Sequence, residues 1–129
     1  MKIKSFYIPA LSLITVILLL TSCGKDREIQ FCEGVSPDGK GVNCGTVFEY
    51  GDITAIIESR ERFATDQINV KIEVIRNGNE ITVETIEASV EPDEREAIVN
   101  LPLYQSGKYR STALRGETEL AKDKVEIAD

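Results

Sequence analysis

The sequence predicts an all-β fold, a single small β-sandwich of about seven short strands in residues 46–129. Three observations predict it. Apolar residues alternate with polar ones in short runs, as in strands that bury one face. Turn-forming residues separate the runs. The runs recur at regular spacing over about 80 residues, which is typical of two packed sheets.

Seven runs carry this pattern, and they lie at residues 46–50, 52–59, 68–76, 80–90, 96–103, 107–114 and 119–127. The third is the clearest, because every second residue from Ile68 to Val74 is apolar. It is followed by Asn77-Gly78, a pair that tolerates the positive φ angles of a two-residue hairpin turn. The third and fourth runs are therefore expected to form a hairpin.

Two later runs are less regular. In the fourth, the apolar residues change face near Glu84-Thr85, which predicts a β-bulge or a break into two strands. Residues 117–128 contain several good helix formers, so a helix is an alternative for the last run. A strand is favoured because Val125 and Ile127 are in phase and the flanking pattern is that of a hairpin.

The stretch S-G-K-Y-R-S at residues 106–111 resembles the start of strand F in immunoglobulin-like and fibronectin type III domains. By that resemblance, Tyr109 is a structural tyrosine corner whose hydroxyl bonds back to the main chain. Position 111 is Ser rather than Cys, and the chain has no Trp, so two hallmarks of antibody domains are missing. Val70 or Ile72 would occupy the place of that Trp. The resemblance implies an immunoglobulin-like sandwich in the broad sense.

The chain begins with Lys2 and Lys4, followed by an apolar run at residues 6–20. This run is shorter than the roughly 20 apolar residues of a membrane span, so a secretory signal is favoured over a transmembrane anchor. The run ends in Leu20-Thr21-Ser22-Cys23, which resembles the lipobox of bacterial lipoproteins.

The lipobox resemblance implies that residues 1–22 are a signal peptide. It also implies that Cys23 carries a diacylglycerol and a further acyl chain. Two or more chains give stable anchoring to a membrane. Gly24, rather than Asp, resembles the sorting signal of proteins sent to the outer membrane. Residues 23–30 would be a tether. We therefore expect a lipid-anchored protein of the cell envelope, facing either the periplasm or the cell surface.

Two cysteines remain once Cys23 carries lipid, and they form an even pair in an oxidising compartment. The residues between Cys32 and Cys44 are rich in Gly, Pro, Asp and Asn, which favour turns. Residues 31–45 are therefore predicted to be a loop segment closed by a disulfide, worth about 3 kcal/mol. Two cysteines and no His fall short of a zinc site.

Composition excludes several functions. Removal of residues 1–22, which include two Lys, changes the formal charge from −7 to −9, so nucleic acid is not expected as a partner. The absence of His removes the usual general base, and we expect no enzyme, cofactor or metal. Asp38 and the acidic turn at residues 91–94 offer oxygen ligands for Ca²⁺, but no twelve-residue calcium loop is present, so solvated turns are favoured.

The expected function is therefore a membrane-anchored, non-enzymatic module that binds a protein partner or acts as an accessory protein. The alternatives are a structural envelope lipoprotein without a specific ligand, and an enzyme or an inhibitor of an envelope enzyme. The charged run at residues 60–63 is either a partner contact or, as favoured, a loop whose Phe63 packs beneath the sandwich.

Overall fold

A computed structural model describes residues 27–49 and 51–129. The predicted signal peptide, Cys23 and Tyr50 lie outside the described residues. The described residues form no helix, and hence none able to cross a membrane. They form nine strands: β1 Ile29–Val35, β2 Gly41–Gly45, β3 Val47–Phe48, β4 Asp52–Glu58, β5 Gln67–Arg76, β6 Asn79–Ser89, β7 Glu96–Pro102, β8 Gly107–Arg115 and β9 Thr118–Ile127.

The strands form two sheets. The first has the order β2-β1-β4-β7 and the second the order β3-β9-β8-β5-β6. Neighbouring strands are antiparallel except β3 and β9, which are parallel. Lettered in the immunoglobulin manner, β1-β4-β7 are strands A-B-E, and β9-β8-β5-β6 are strands G-F-C-C′. The predicted immunoglobulin-like sandwich is confirmed, with nine strands rather than about seven.

Alternation of apolar residues produces the core between the sheets. In β5, every second side chain from Ile68 to Val74 is buried, including Val70 and Ile72, the two residues predicted to fill the tryptophan position. The Asn77-Gly78 turn joins β5 to β6 with φ angles of 51° and 80°, as a type I′ hairpin turn requires. The third and fourth runs therefore form the expected hairpin.

The fourth run forms one strand that contains a bulge. Ile72 of β5 lies opposite Glu84, whereas the next residue, Glu73, lies opposite Thr82. Val83 is therefore the extra residue on β6. The inserted residue changes the face on which the later apolar side chains lie, which is the physical reason for the change of phase in the sequence.

The last run is a strand, not a helix, and it too contains a bulge. Ala113 lies opposite Ala121 and Leu114 lies opposite Glu119, so Leu120 is the extra residue. Leu120 and Ala121 are consecutive, yet both are buried. This irregularity explains why Leu120 is out of phase with the apolar residues that end the strand.

The cysteine segment is part of the sandwich, which corrects the predicted boundary at residue 46. The predicted disulfide is confirmed: Cys32 and Cys44 lie opposite each other and are bonded. However, the flanking residues form β1 and β2, and β1 pairs with β4 inside the first sheet. Periodicity missed these strands because β2 is rich in glycine and buries none of its side chains against the core. The sandwich begins at Ile29.

Candidate protein-binding surface

The sandwich has two long sides. On one, β1 of the first sheet contacts β9 of the second, each next to a short edge strand, β2 or β3, and we name this the β1–β9 side. On the other, β6 and β7 are the last strands of their sheets, and residues of both line one groove. We name this the β6–β7 side. The two sides differ in whether their carboxylates form ion pairs within the molecule.

Three carboxylates on the β1–β9 side, those of Glu28, Glu119 and Asp123, are paired within the molecule. The Arg60 guanidinium donates from Nε to Glu28 Oε2 at 2.7 Å and from Nη2 to Glu28 Oε1 at 3.0 Å. The main-chain N–H of Lys122 on β9 also donates to Glu28 Oε1, at 3.0 Å. Arg60 further pairs with Glu119 at 3.3 Å. The hydrogen bonds and charge of Glu28, with a smaller contribution from Glu119, raise the pKa of Arg60 above its usual range.

The first described residues of the chain are attached to β9 in the same way. Asp123 Oδ2 accepts hydrogen bonds from the main-chain N–H groups of Glu28 at 2.8 Å and Ile29 at 3.2 Å. The other Asp123 oxygen forms an ion pair with Arg27 at 3.4 Å, and the Arg27 guanidinium lies 5.6 Å from the centre of the Phe31 ring. The chain therefore enters the domain along the β1–β9 side.

The β6–β7 side has a large excess of negative charge. Between residues 79 and 102 there are seven acidic residues and one basic residue, a formal charge of −6. Glu80 pairs with Arg110 of β8 at 3.3 Å. The other six make no ion pair with any described residue, and all are exposed: Glu84, Glu87, Glu91, Asp93, Glu94 and Glu96. Apart from the pair between Glu80 and Arg110, no ion pair within the described fold neutralises this charge.

Apolar side chains are exposed among these carboxylates. Ile81 and Val83 of β6 are 51% and 54% exposed, and Ile98 of β7 is 48% exposed. A groove of about 390 Å³ lies between β6 and the β7–β8 connection, and its lining includes Val83, Pro102 and Tyr109. Exposed apolar groups with a polar surround are characteristic of surfaces that bind other proteins.

Tyr109 lies where the resemblance to strand F predicts a tyrosine corner. Its hydroxyl donates to the main-chain oxygen of Gln105 at 2.7 Å, and this bond closes the connection between β7 and β8. Its ring is buried, and burial raises the pKa of the hydroxyl. Ser111, at the position of the missing cysteine, is buried beside it with a hydroxyl that has no hydrogen-bond partner among the described residues.

Tyr104 borders the same groove and was not identified from the sequence. Its side chain is 71% exposed, yet its hydroxyl is held by a 2.7 Å hydrogen bond to Asp52, which raises the tyrosine pKa. The ring also packs on the main chain at Gly51, where a Cβ would lie only 2.3 Å from Tyr104 Cδ1. Sequence reasoning missed Tyr104 because the glycine on which it packs is about 50 residues away in the chain, so no local pattern marked the contact.

The two acidic turns considered for calcium are not brought together. Asp38 accepts hydrogen bonds from the Ser36 hydroxyl and the Lys40 main-chain N–H, and the Ser36 bond lowers the Asp38 pKa. Asp38 thus closes the turn between β1 and β2. In the other turn, the Glu94 N–H donates to the main-chain oxygen of Glu91 at 3.0 Å. Within the described chain, no three His, Cys, Asp or Glu side chains are placed to share a metal ion.

The charged run at residues 60–63 is structural. Phe63 is fully buried in the core, as favoured from the sequence. The Arg115 guanidinium pairs with Glu61 at 2.7 Å and donates to the main-chain oxygen of Phe63 at 2.8 Å. The run therefore stabilises the connection between β4 and β5.

The chain matches no protein-family model, and comparison with curated proteins and with solved structures likewise found no match. The immunoglobulin-like assignment rests on strand order and on the contact made by Tyr109.

Proposed function

We propose that this chain is an envelope lipoprotein, anchored through Cys23, that presents the β6–β7 side to a protein partner and has no enzymatic activity. The observation that carries the proposal is the path of the chain, which enters the domain on the β1–β9 side. That side and the β6–β7 side are at opposite edges of the sandwich.

Because the tether is short, this path predicts how the domain is oriented relative to the membrane. Cys23 is four residues before Arg27, and four residues span at most about 14 Å when fully extended. Lipid on Cys23 would therefore hold the β1–β9 side close to the bilayer. The β6–β7 side would then face the aqueous space, where a partner can reach it.

The chemistry of the exposed side supports a protein as the partner. The unpaired carboxylates repel nucleic acid and anionic lipid, and the apolar residues Ile81, Val83 and Ile98 offer area to bury. The chain contains no His and its two described cysteines are bonded to each other, so the most common general base is missing and neither of these cysteines offers a free thiol nucleophile. Gly24 supports sorting to the outer membrane, on either its periplasmic or its surface face.

Two labelling experiments test the anchor and the orientation. Cells fed labelled fatty acid should label the wild-type protein but not Cys23→Ala. A photo-crosslinking amino acid is then placed at Ile98 on the β6–β7 side or, as a matched control, at the exposed Lys124 on β9. We expect protein adducts from position 98 and few or none from position 124. Adducts from position 124 alone, or from neither position, would contradict the proposal.

A further inference from the structure

We propose that β6 binds a basic, extended segment of the partner as an added strand along its free edge. This inference rests on the proposed function and specifies the chemistry of the partner. An extended peptide that joins a sheet edge gains main-chain hydrogen bonds, while its side chains give specificity.

The edge of β6 is available for pairing. Among the described strands, β6 pairs only with β5, so its other edge has no main-chain partner. It is 11 residues long, whereas the other edge strands β2, β3 and β7 have 5, 2 and 7 residues. Beyond the bulge at Val83, residues 84–89 form six consecutive regular pairs with β5. This length suffices to template another strand.

Three of the devices that protect sheet edges are missing from β6. Natural edge strands are commonly blocked by lysine, by proline or by short length. The sequence of β6 is NEITVETIEAS, which contains no Lys, Arg or Pro. β7, by contrast, ends at Pro102 and is shorter. β6 keeps two protective features: the bulge at Val83, which leaves residues 84–89 regular, and the inward-facing charge of Glu84, which disfavours any added strand that brings no basic residue to it.

Charge specifies a basic segment. Glu84 lies opposite the buried Ile72 and so is on the inner face, whereas Glu87 lies opposite Asn69 on the outer face. An added strand therefore meets a free carboxylate on each face. Two basic residues three positions apart point to opposite faces of a strand and match this spacing. Apolar residues of the segment would reach Val83 and the groove beside it.

The same charges disfavour a second copy of this chain. Pairing of β6 with β6 of another copy would bring Glu84 and Glu87 of both strands close together, and like charges across a strand pair are destabilising. The surrounding carboxylates of the β6–β7 side would add to this repulsion.

The test uses the full lipidated chain in phosphatidylcholine nanodiscs. The probe is a short labelled peptide of Val and Thr with two Lys residues three positions apart, long enough to cover residues 84–89. Binding is measured by fluorescence anisotropy for the wild type and for Glu84→Lys/Glu87→Lys. The control, Glu49→Lys/Glu117→Lys, makes the same change of charge at exposed sites away from β6. Circular dichroism checks that each variant is folded.

We expect the Lys peptide to bind the wild type and the control alike, and to bind Glu84→Lys/Glu87→Lys at least about tenfold more weakly. A peptide with Glu at the same two positions should show the opposite preference. A Lys peptide that is N-methylated at every residue keeps its charges but cannot donate main-chain hydrogen bonds from either edge, and it should lose binding.

Equal binding to all variants, no binding, or full binding of the N-methylated peptide would overturn strand addition. Crosslinking from Ile98 tests the proposed function independently. If adducts form from position 98 and the Lys peptide does not bind, the protein-binding module stands and strand addition on β6 fails.

Discussion

The two sides of this sandwich contain the same kinds of residue and use them differently. On the β1–β9 side, Glu28 receives hydrogen bonds from Arg60 and Lys122, and Asp123 receives them from the chain that enters the domain. On the β6–β7 side, Glu84 and Glu87 are exposed and have no ion pair with a described residue. Acidic residues therefore have two roles here. On one side they form hydrogen bonds and ion pairs within the domain, and on the other their charge is available to a partner.

The largest expected difference between the two sides is in apolar burial. Phe31→Ala on β1 should lower the free energy of unfolding by about 3–5 kcal/mol, because the ring is fully buried. Val83→Ala on β6 should change it by less than about 0.5 kcal/mol, because Val83 is half exposed. Urea denaturation of both variants measures the two values. Similar losses of unfolding free energy in both variants would contradict the predicted difference between the two sides.

The disulfide gives the next largest effect and also belongs to the β1–β9 side. Cys32→Ala/Cys44→Ala opens a loop with a sequence separation of 12 and should lower stability by about 3 kcal/mol. Thermal unfolding of the wild type with and without a reductant provides the control, since reduction should lower its midpoint to that of the double variant. A midpoint that reduction does not change would mean that the bond adds no stability.

Tyr109 tests whether the β6–β7 side has a rigid element of its own. Tyr109→Phe removes the bond to the Gln105 oxygen and should lower stability by about 1 kcal/mol. Burial raises the folded-state pKa of Tyr109, so above the unfolded-state pKa of about 10 the unfolded chain loses this proton first. Stability should fall as pH rises through that range, and less steeply in Tyr109→Phe. Equal slopes in denaturation at pH 9 to 11 would contradict this account.

The smallest effects compare one charge on each side. Glu28→Gln should lower stability by under about 1 kcal/mol, since the Arg60 pair is exposed and screened by solvent. Glu87→Gln should leave stability unchanged or slightly higher, because Glu87 has no ion pair to lose among the described residues. Chemical denaturation at low and high salt should show the Glu28 effect shrinking with salt. A larger loss for Glu87→Gln would reverse the assignment of the two sides.

Much of the fold could be predicted from the sequence because the signals are local. Alternation with a period of two identified β4 to β9, and Asn77-Gly78 located the β5–β6 turn. The pairing of Cys32 with Cys44 followed from the cysteine count. β1 and β2 were missed because the glycines of β2 give no alternation, so their place in the first sheet depends on pairing with β4.

By itself, the sequence determined where strands lie, which cysteines pair and which tyrosine closes the β7–β8 connection, and it predicts Cys23 as the anchor. Only the tertiary structure decided which carboxylates are paired. Glu28 meets Lys122 across 94 residues, and β6 and β7 share one side although they belong to different sheets. The physical reason is that strand periodicity is a property of adjacent residues, whereas charge pairing and edge exposure depend on how sheets order and pack.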